Sequence, residues 1–352
     1  MPEESTPAVP IKQKAWVAAR KGTPAKAVEL QDIDVPKLVK GEVLVKVQAG
    51  ALNPGAYKMM NLLPNWVSGR PHIAEHDFTG VIADANGTKW KNGQEVFGFL
   101  DFRVQMKGHQ GALAQYIRVP TVTLSLRPPS IKPTEAAGLG LAGLTAYQMI
   151  KAGKLEAGQS VFINGGTTAV GIFAIQMAKA IGCTVTASAS TQKEEALKKL
   201  GVDRFIDYTK GPIHEQLEKD PPTPKFHLFL EAVGVMDIPM YTHCEAYLAP
   251  GGTFASVGPQ TRGAGVFHAI KFIATVLRPR FLGGTKRDWK LVLLDSNSED
   301  WETFTKYIIE GSKVKGMVDS VYAFEDVQKA YERIMTGRAT GKIVVKVDPT
   351  VE

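Results

Sequence analysis

Residues 158–171, reading GQSVFINGGTTAVG, constrain this chain more than any other stretch. An apolar run of strand length breaks on two glycines and small hydroxyl residues, and a helical pattern follows at once. Small residues let the backbone turn sharply and come close to a phosphate, while a helix N-terminus offers N–H groups and partial positive charge. The competing reading is a tight strand–helix turn that binds nothing. The surroundings favour the phosphate. Val161–Asn164, Val185–Ala189, Arg204–Asp207, Leu228–Ala232 and Thr253–Val257 read as short apolar strands, and Val170–Ala180 and Glu194–Leu200 as helices between them. Such alternation predicts a parallel sheet covered on both faces.

The strand after the loop bears on which dinucleotide would bind. A fold selective for NAD usually ends this strand in an acid that accepts from the ribose 2′-hydroxyl. Here the strand ends Ala187-Ser188-Ala189-Ser190-Thr191-Gln192-Lys193, with no acid at its tip. Hydroxyls and a lysine suit a 2′-phosphate, which needs donors and positive charge. NADPH is therefore expected over NADH. A solvated serine loop with a surface lysine is the bland alternative, and Glu194 and Glu195 follow directly.

Before this α/β unit the chain reads as β-rich. Lys14–Ala18, Val43–Ala49, Phe78–Asp84, Glu95–Phe99 and Leu113–Val119 are β-leaning runs separated by turn residues such as Asn53-Pro54-Gly55 and Asn92-Gly93. Strands at that spacing predict a barrel or sandwich. The texture changes after Pro128-Pro129, where Glu135–Ile150 reads as one tightly packed helix. It changes again after Leu294, with a helix over Asp300–Glu310, a strand over Val318–Ala323, a helix to Met335 and a closing strand over Gly341–Val347. A length of 352 residues suits two domains. The expected division is a discontinuous domain of residues 1–127 and 296–352 around an α/β domain of residues 128–295.

Several functions are disfavoured. Two cysteines, Cys183 and Cys244, exclude a disulfide scaffold and a cysteine-rich zinc site. His72 and His76 stand four apart, but Pro71 precedes them and no third ligand stands out, so packed histidines are expected and no metal. A formal charge of +7 without a basic block does not call for nucleic acid. The first ten residues read as a tail, and the apolar stretch Gly265–Leu277 is too short for a membrane span and is broken by His268 and Lys271. The expectation is a cytoplasmic protein.

Ten ordered segments resemble the zinc-free medium-chain dehydrogenase/reductases, in their quinone reductase and enoyl reductase branch and its fungal-type members. Among them are Ala51-Leu52-Asn53-Pro54, His76-Asp77-Phe78-Thr79-Gly80, Gly93-Gln94-Glu95-Val96-Phe97-Gly98, Leu144-Thr145-Ala146-Tyr147, the glycine loop and Gly337–Val344. The resemblance spans nearly the full length. It implies a GroES-like β-barrel domain plus a Rossmann domain, with the C-terminus returning to the first. Residue by residue, it implies Asn53 and Thr145 near the nicotinamide and its ribose. It implies Gly166, Thr167, Thr168, Ala169 and Val170 at the pyrophosphate. Ser190, Lys193 and Tyr208 fall at the 2′-phosphate, and Lys342, Ile343 and Val344 on a strand closing over the cofactor.

The implied activity is zinc-independent, NADPH-dependent hydride transfer to a quinone or an α,β-unsaturated carbonyl. Asn53-Pro54-Gly55-Ala56 lacks the carboxylate of the family's Asn-Pro-x-Asp, and no tyrosine stands where mitochondrial enoyl thioester reductases carry theirs. Tyr57 is the remaining hydroxyl donor nearby, so Tyr57 and Asn53 are the expected catalytic residues. Two alternatives stay open: a trans-acting enoyl reductase of a polyketide pathway, and a low-turnover protein that keeps the cofactor site for binding. A small-molecule substrate and a second copy of the chain are the expected partners.

Overall fold

The structure is a computed structural model that describes residues 9–235, 237–258, 266–309 and 314–352. Residues 1–8 of the expected ten-residue tail lie outside these, as do Gly265 and Glu310. In chain order the strands are β1 (Lys12–Ala18), β2 (Val28–Asp34), β3 (Glu42–Ala51), β4 (His72–Ile73), β5 (Asp77–Asp84), β6 (Glu95–Phe99), β7 (Tyr116–Pro120) and β8 (Leu124–Leu126). Then come β9 (Ser160–Asn164), β10 (Thr184–Ala189), β11 (Arg204–Asp207), β12 (Phe226–Glu231), β13 (Leu248–Ser256), β14 (Asp288–Leu291), β15 (Val318–Ala323) and β16 (Lys342–Lys346). They divide between two compact units. The first takes the described residues up to Leu141, then Ser296–Ile309 and Lys315–Glu352; the second takes the described residues of Ala142–Asp295 and Val314.

In the first unit β2-β1-β4 form a small sheet, and β15-β16-β3-β5-β6-β8 run in a larger one with β7 also on β3. All of the larger sheet's pairings are antiparallel except β15 on β16. The C-terminal strand returns to the N-terminal segment: Val344 pairs with Ala51 and Lys346 with Ala49. One apolar core joins the two ends of the chain, with Trp16, Phe78, Tyr331 and Val345 all buried in it, and the Trp16 indole N–H donates to the Phe324 carbonyl at 2.7 Å. This return brings Lys342 beside the end of β3, and hence beside Asn53.

The first unit also holds residues 128–141, which the composition shift at Pro128-Pro129 had assigned to the α/β domain. Hydrogen bonding and close packing keep them there. The Leu141 N–H donates to Asp77 Oδ1 at 2.7 Å, and a Cβ at Gly140 would lie 2.8 Å from that same oxygen. The expected helix over Glu135–Ile150 is accordingly two helices, Pro133–Ala136 and Gly140–Gly153. Glycine lets the chain pass against Asp77 where any side chain would collide.

The second unit is a six-stranded sheet in the order β11-β10-β9-β12-β13-β14, parallel at every pairing. Numbered within the unit this is 3-2-1-4-5-6, the doubly wound order of a Rossmann fold. Phe162, Phe229 and Phe254 are register neighbours on β9, β12 and β13. Their rings stack across the sheet, with centroids 4.6 Å and 4.4 Å apart. This ladder fills one face and fixes the register, because a one-residue slip would turn all three rings to the other face. The strand order reverses between β9 and β12, and ligands of such sheets bind at the carboxyl ends of the strands there.

Candidate cofactor and active site

The glycine loop leaves the carboxyl end of β9 and enters the helix Ala169–Ile181. Gly165 has φ 79, in the left-handed region. A Cβ at Gly171 would lie 2.2 Å from the Gly165 carbonyl oxygen, so glycine alone lets the first helical turn sit on the loop. Thr168 is the N-cap: its hydroxyl accepts from the Gly171 N–H at 3.0 Å and donates to Gly165 O at 2.8 Å. That hydroxyl is engaged in holding the turn, so a phosphate would be met by main-chain N–H groups of the loop and first turn. Thr167, Ala169 and Val170 supply that main chain, at the end of the helix where no preceding carbonyl can accept; the Gly166 N–H is already spent on Ser188 O at 2.9 Å, which ties the loop to β10.

Register brings the expected 2′-phosphate residues together. Ala189 of β10 pairs with Asp207 of β11, so Ser190 and Tyr208 leave adjacent strand ends. Lys193 closes a short 3₁₀ turn with its N–H on Ser190 O at 2.9 Å, and Tyr208 is exposed. One carboxylate does stand at this rim, Asp207, but it belongs to the neighbouring strand and is engaged. It accepts from the Thr191 hydroxyl and from the N–H and hydroxyl of Thr209 at 2.8 and 2.7 Å. The Thr191 hydroxyl foremost holds its pKa below the usual carboxylate value. Ser188, two residues before Ser190, is buried and faces inward.

Ser188 belongs to a buried network that the sequence reading missed. Its hydroxyl donates to Asn164 Oδ1 at 2.7 Å and accepts from the Gly165 N–H at 3.0 Å. Asn164 Nδ2 donates to Glu231 Oε1 at 3.2 Å. Glu231 also takes the N–H groups of Val233 and Gly234 and the Ser256 hydroxyl. The network thus ties together the carboxyl ends of β9, β10, β12 and β13 beneath the glycine loop. Burial drives the Glu231 carboxyl up to about 7, against the opposing pull of those donors. A carboxylate ending the apolar run Phe226–Glu231 was the available signal.

A second buried network lies in the first unit. Asn53 begins the helix Pro54–Leu62 without capping it through its side chain. The amide is turned inward: Oδ1 accepts from Lys342 Nζ at 2.8 Å, and Nδ2 donates to Asp77 Oδ2 at 3.1 Å. Lys342 Nζ also meets Asp77 Oδ2 at 2.8 Å. The Asn53 N–H donates to Glu75 Oε2 at 2.9 Å, and the Tyr331 hydroxyl donates to Glu75 Oε1 at 2.8 Å. Glu75 has φ 64, a backbone conformation that favours glycine. The two hydrogen bonds to its carboxyl offset that strain. Burial raises the carboxyl to about 7.

Beside this network a small open pocket is lined by Met59, Met60, Arg70, His72, Glu75 and Phe102 among others. Tyr57 sits half-buried on the Pro54–Leu62 helix, packed against the core, with the Lys58 ammonium 5.9 Å from its ring centre. Asn53 and Lys342 are therefore joined directly, 289 residues apart in sequence. The Lys342 ammonium is buried and held by Asn53 and Asp77, while Ile343 and Val344 are buried in β16. Thr145 is buried on the helix Gly140–Gly153 of the second unit. Nothing in the sequence around Glu75 named Tyr331 as its partner, and only the fold shows it.

His72 and His76 are buried and accounted for by main chain: their Nδ1 atoms lie 3.0 Å from Ile73 O and 2.8 Å from Leu100 O. Burial lowers both, His72 to about 4. Among the described residues no group of three or more His, Cys, Asp or Glu side chains could hold a metal ion. No helix among them is long and apolar enough to cross a membrane.

Residues 39–129 match the family described as an alcohol dehydrogenase GroES-like domain, and residues 200–345 match that described as a zinc-binding dehydrogenase. The side chains just described do not form the site that the second description names. A trans-enoyl reductase of Aspergillus terreus, pgmF, is 38% identical over 323 residues, 88% of each chain. The chloroplastic NADPH-dependent alkenal/one oxidoreductase of Arabidopsis thaliana is 30% identical over 345 residues, 96% of this chain and 80% of that one. Among solved structures, the quinone oxidoreductase of Coxiella burnetii superposes with a TM-score of 0.78 at 25% identity, covering 95% of this chain and 99% of that one.

Proposed function

The chain belongs to the medium-chain dehydrogenase/reductase family as an oxidoreductase of its enoyl reductase branch, and we propose that it reduces conjugated carbon–carbon double bonds and quinones with NADPH. The observation that carries the NADPH reading is the β10–β11 rim. Ser190, Lys193 and Tyr208 leave the two adjacent strand ends there, and the carboxylate at the tip of β11, Asp207, is engaged by Thr191 and Thr209. The cofactor, when bound, supplies a hydride. The glycine loop holds its pyrophosphate through main-chain N–H groups. In the first unit Asn53 donates to Ala51, Asp77 and Glu75 and accepts from Lys342, so what it offers a ligand is a rigidly held Oδ1 acceptor.

Reduction of a conjugated system leaves an enolate or a hydroquinone anion, which needs only modest proton donation. A saturated ketone would leave an alkoxide, which calls for a metal or a strong acid. The partly buried Tyr57 hydroxyl is the proposed donor. The enoyl thioester reading has independent support in the relative named as a trans-enoyl reductase. It differs from the enone reading only in the acyl carrier.

The test is NADPH and NADH oxidation against enones, quinones, enoyl thioesters and saturated ketones. Conjugated substrates should turn over with NADPH and saturated ketones should not. Efficient ketone reduction would overturn the reading, and failure on every substrate with cofactor bound would favour the binding-protein alternative. Lys193→Ala should weaken NADPH by roughly 1.5–3 kcal/mol, as for a hydrogen bond to a charged group, and leave NADH nearly unchanged, read by fluorescence titration. Tyr57→Phe should lower kcat by less than the ~10²-fold expected of a dedicated general acid. Complete loss would mean that the tyrosine does more than assist.

A further inference from the structure

The helix Val266–Val276 carries apolar residues on two faces. One face is accounted for: Phe272 is buried with its ring 6.1 Å from Trp289, and Val276 packs on the core with Phe254. The other is not. Phe267, Ile270, Ala274 and Leu277 fall at i, i+3, i+7 and i+10, one stripe of a helix, and all are exposed. Phe267 is 89% exposed and Phe281, just beyond the helix, is 86%. Leu282 adds to them. Scattered surface leucines need no explanation, but a continuous stripe ending in two bare phenylalanines does.

Charge indicates what covers it. Lys271 and Arg278 border the stripe, at i+4 and i+11 from Phe267, and both are exposed, as are Arg280 and Lys286. Residues 266–287 contain no aspartate or glutamate. The next acid, Asp288, faces Arg280 at 2.7 Å. A second copy of the same face would set these cations against one another. An anionic lipid surface would not: phenylalanine and aliphatic side chains enter the acyl boundary while flanking Lys and Arg meet the headgroups.

We propose that the helix Val266–Val276 and the turn after it form a docking surface for an anionic bilayer, held by Phe267, Leu277 and Phe281 and by Lys271 and Arg278. The protein lies on the membrane and does not cross it. This surface is independent of the reaction assigned above, and either can fail without the other.

The full chain would be sedimented with vesicles of phosphatidylcholine alone and of two parts phosphatidylcholine to one part phosphatidylglycerol, at low and high salt. Binding should require phosphatidylglycerol and weaken with salt, since each cation near such a surface contributes roughly fivefold to partitioning. Two variants separate the components, Phe267→Ser with Phe281→Ser, and Lys271→Glu with Arg278→Glu. Each should lower partitioning by about tenfold or more, with unchanged melting temperature and unchanged turnover of a soluble enone. Absence of vesicle binding overturns the proposal, as does binding that neither variant alters or that neutral vesicles support equally. Sedimentation velocity provides a further arm: a dimer that the phenylalanine variant dissociates would assign the stripe to a second copy. Salt-sensitive binding of poly-glutamate without vesicle binding would assign it to an acidic protein.

Discussion

Lys342→Met should cost about 3–5 kcal/mol of folding stability, the usual loss when one partner of a buried ion pair is removed. Lys342 and Asp77 meet at 2.8 Å with side chains only 4% and 0% exposed. Methionine keeps the volume of the stem and removes the charge, so Asp77 is left as a buried carboxylate without its cation. Asn53 Oδ1 loses its donor at the same time. Lys179→Met is the internal comparison. Lys179 and Asp203 meet at a nearly equal 2.9 Å but are 33% and 42% exposed, and that pair should be worth no more than about 1 kcal/mol. Urea unfolding of both variants checks the contrast. Equal losses would show that burial is not what gives the Lys342 pair its weight. Removing Asp77 as well should not restore stability, because the Leu141 N–H and Asn53 Nδ2 would then lose their acceptor.

Much of the second unit was legible because its signals are local. Short apolar strands bounded by glycine and helical segments predict β9, β10 and β11 to within a residue, and Arg204–Asp207 coincides with its strand. β2 was missed because it is an edge strand whose outward residues carry charge, so Val28–Asp34 reads as loop. The helix break before Gly140 was missed because an Ala/Leu/Gly-rich run looks continuously helical, and the Asp77 carboxyl that Gly140 accommodates lies far back in the chain.

The site divides in the same way. The glycine loop is a local motif, and its position follows from the strand before and the helix after. The rim of Ser190, Lys193 and Tyr208 needs a register that parallel strands impose, which is inferable once the alternation is recognised. The Asn53–Lys342–Asp77 contact depends on the C-terminal strand returning to β3. No periodicity encodes that. Glu75 and Glu231 left a fainter trace, an acid within or ending an apolar run, where burial without partners would be prohibitive.

These buried acids and the buried histidines should make the pH dependence of stability a balance of opposing slopes. Glu75 and Glu231 are raised by burial from 4.5 to about 7. They bind protons more tightly folded than unfolded, so their stabilisation is complete below about pH 4.5 and is lost as pH rises through 7. His72, lowered by burial from 6.5 to about 4, acts in the opposite sense. Its stabilisation is complete above 6.5 and is lost as pH falls through 4. His76 is shifted in the same direction as His72. Between pH 4.5 and 6.5 the two kinds of group therefore oppose one another. Glu75→Gln uncovers the balance. Glutamine copies the protonated acid, its oxygen able to accept from the Asn53 N–H and its amide able to donate to the Tyr331 oxygen. With one descending slope removed, its stability relative to wild type should climb with pH by about 1.4 kcal/mol per unit across that window, near 3 kcal/mol in all. His72→Gln should tilt the curve the other way. Melting curves from pH 4.5 to 8 on the three proteins decide it, and parallel curves would mean that neither group titrates in this range.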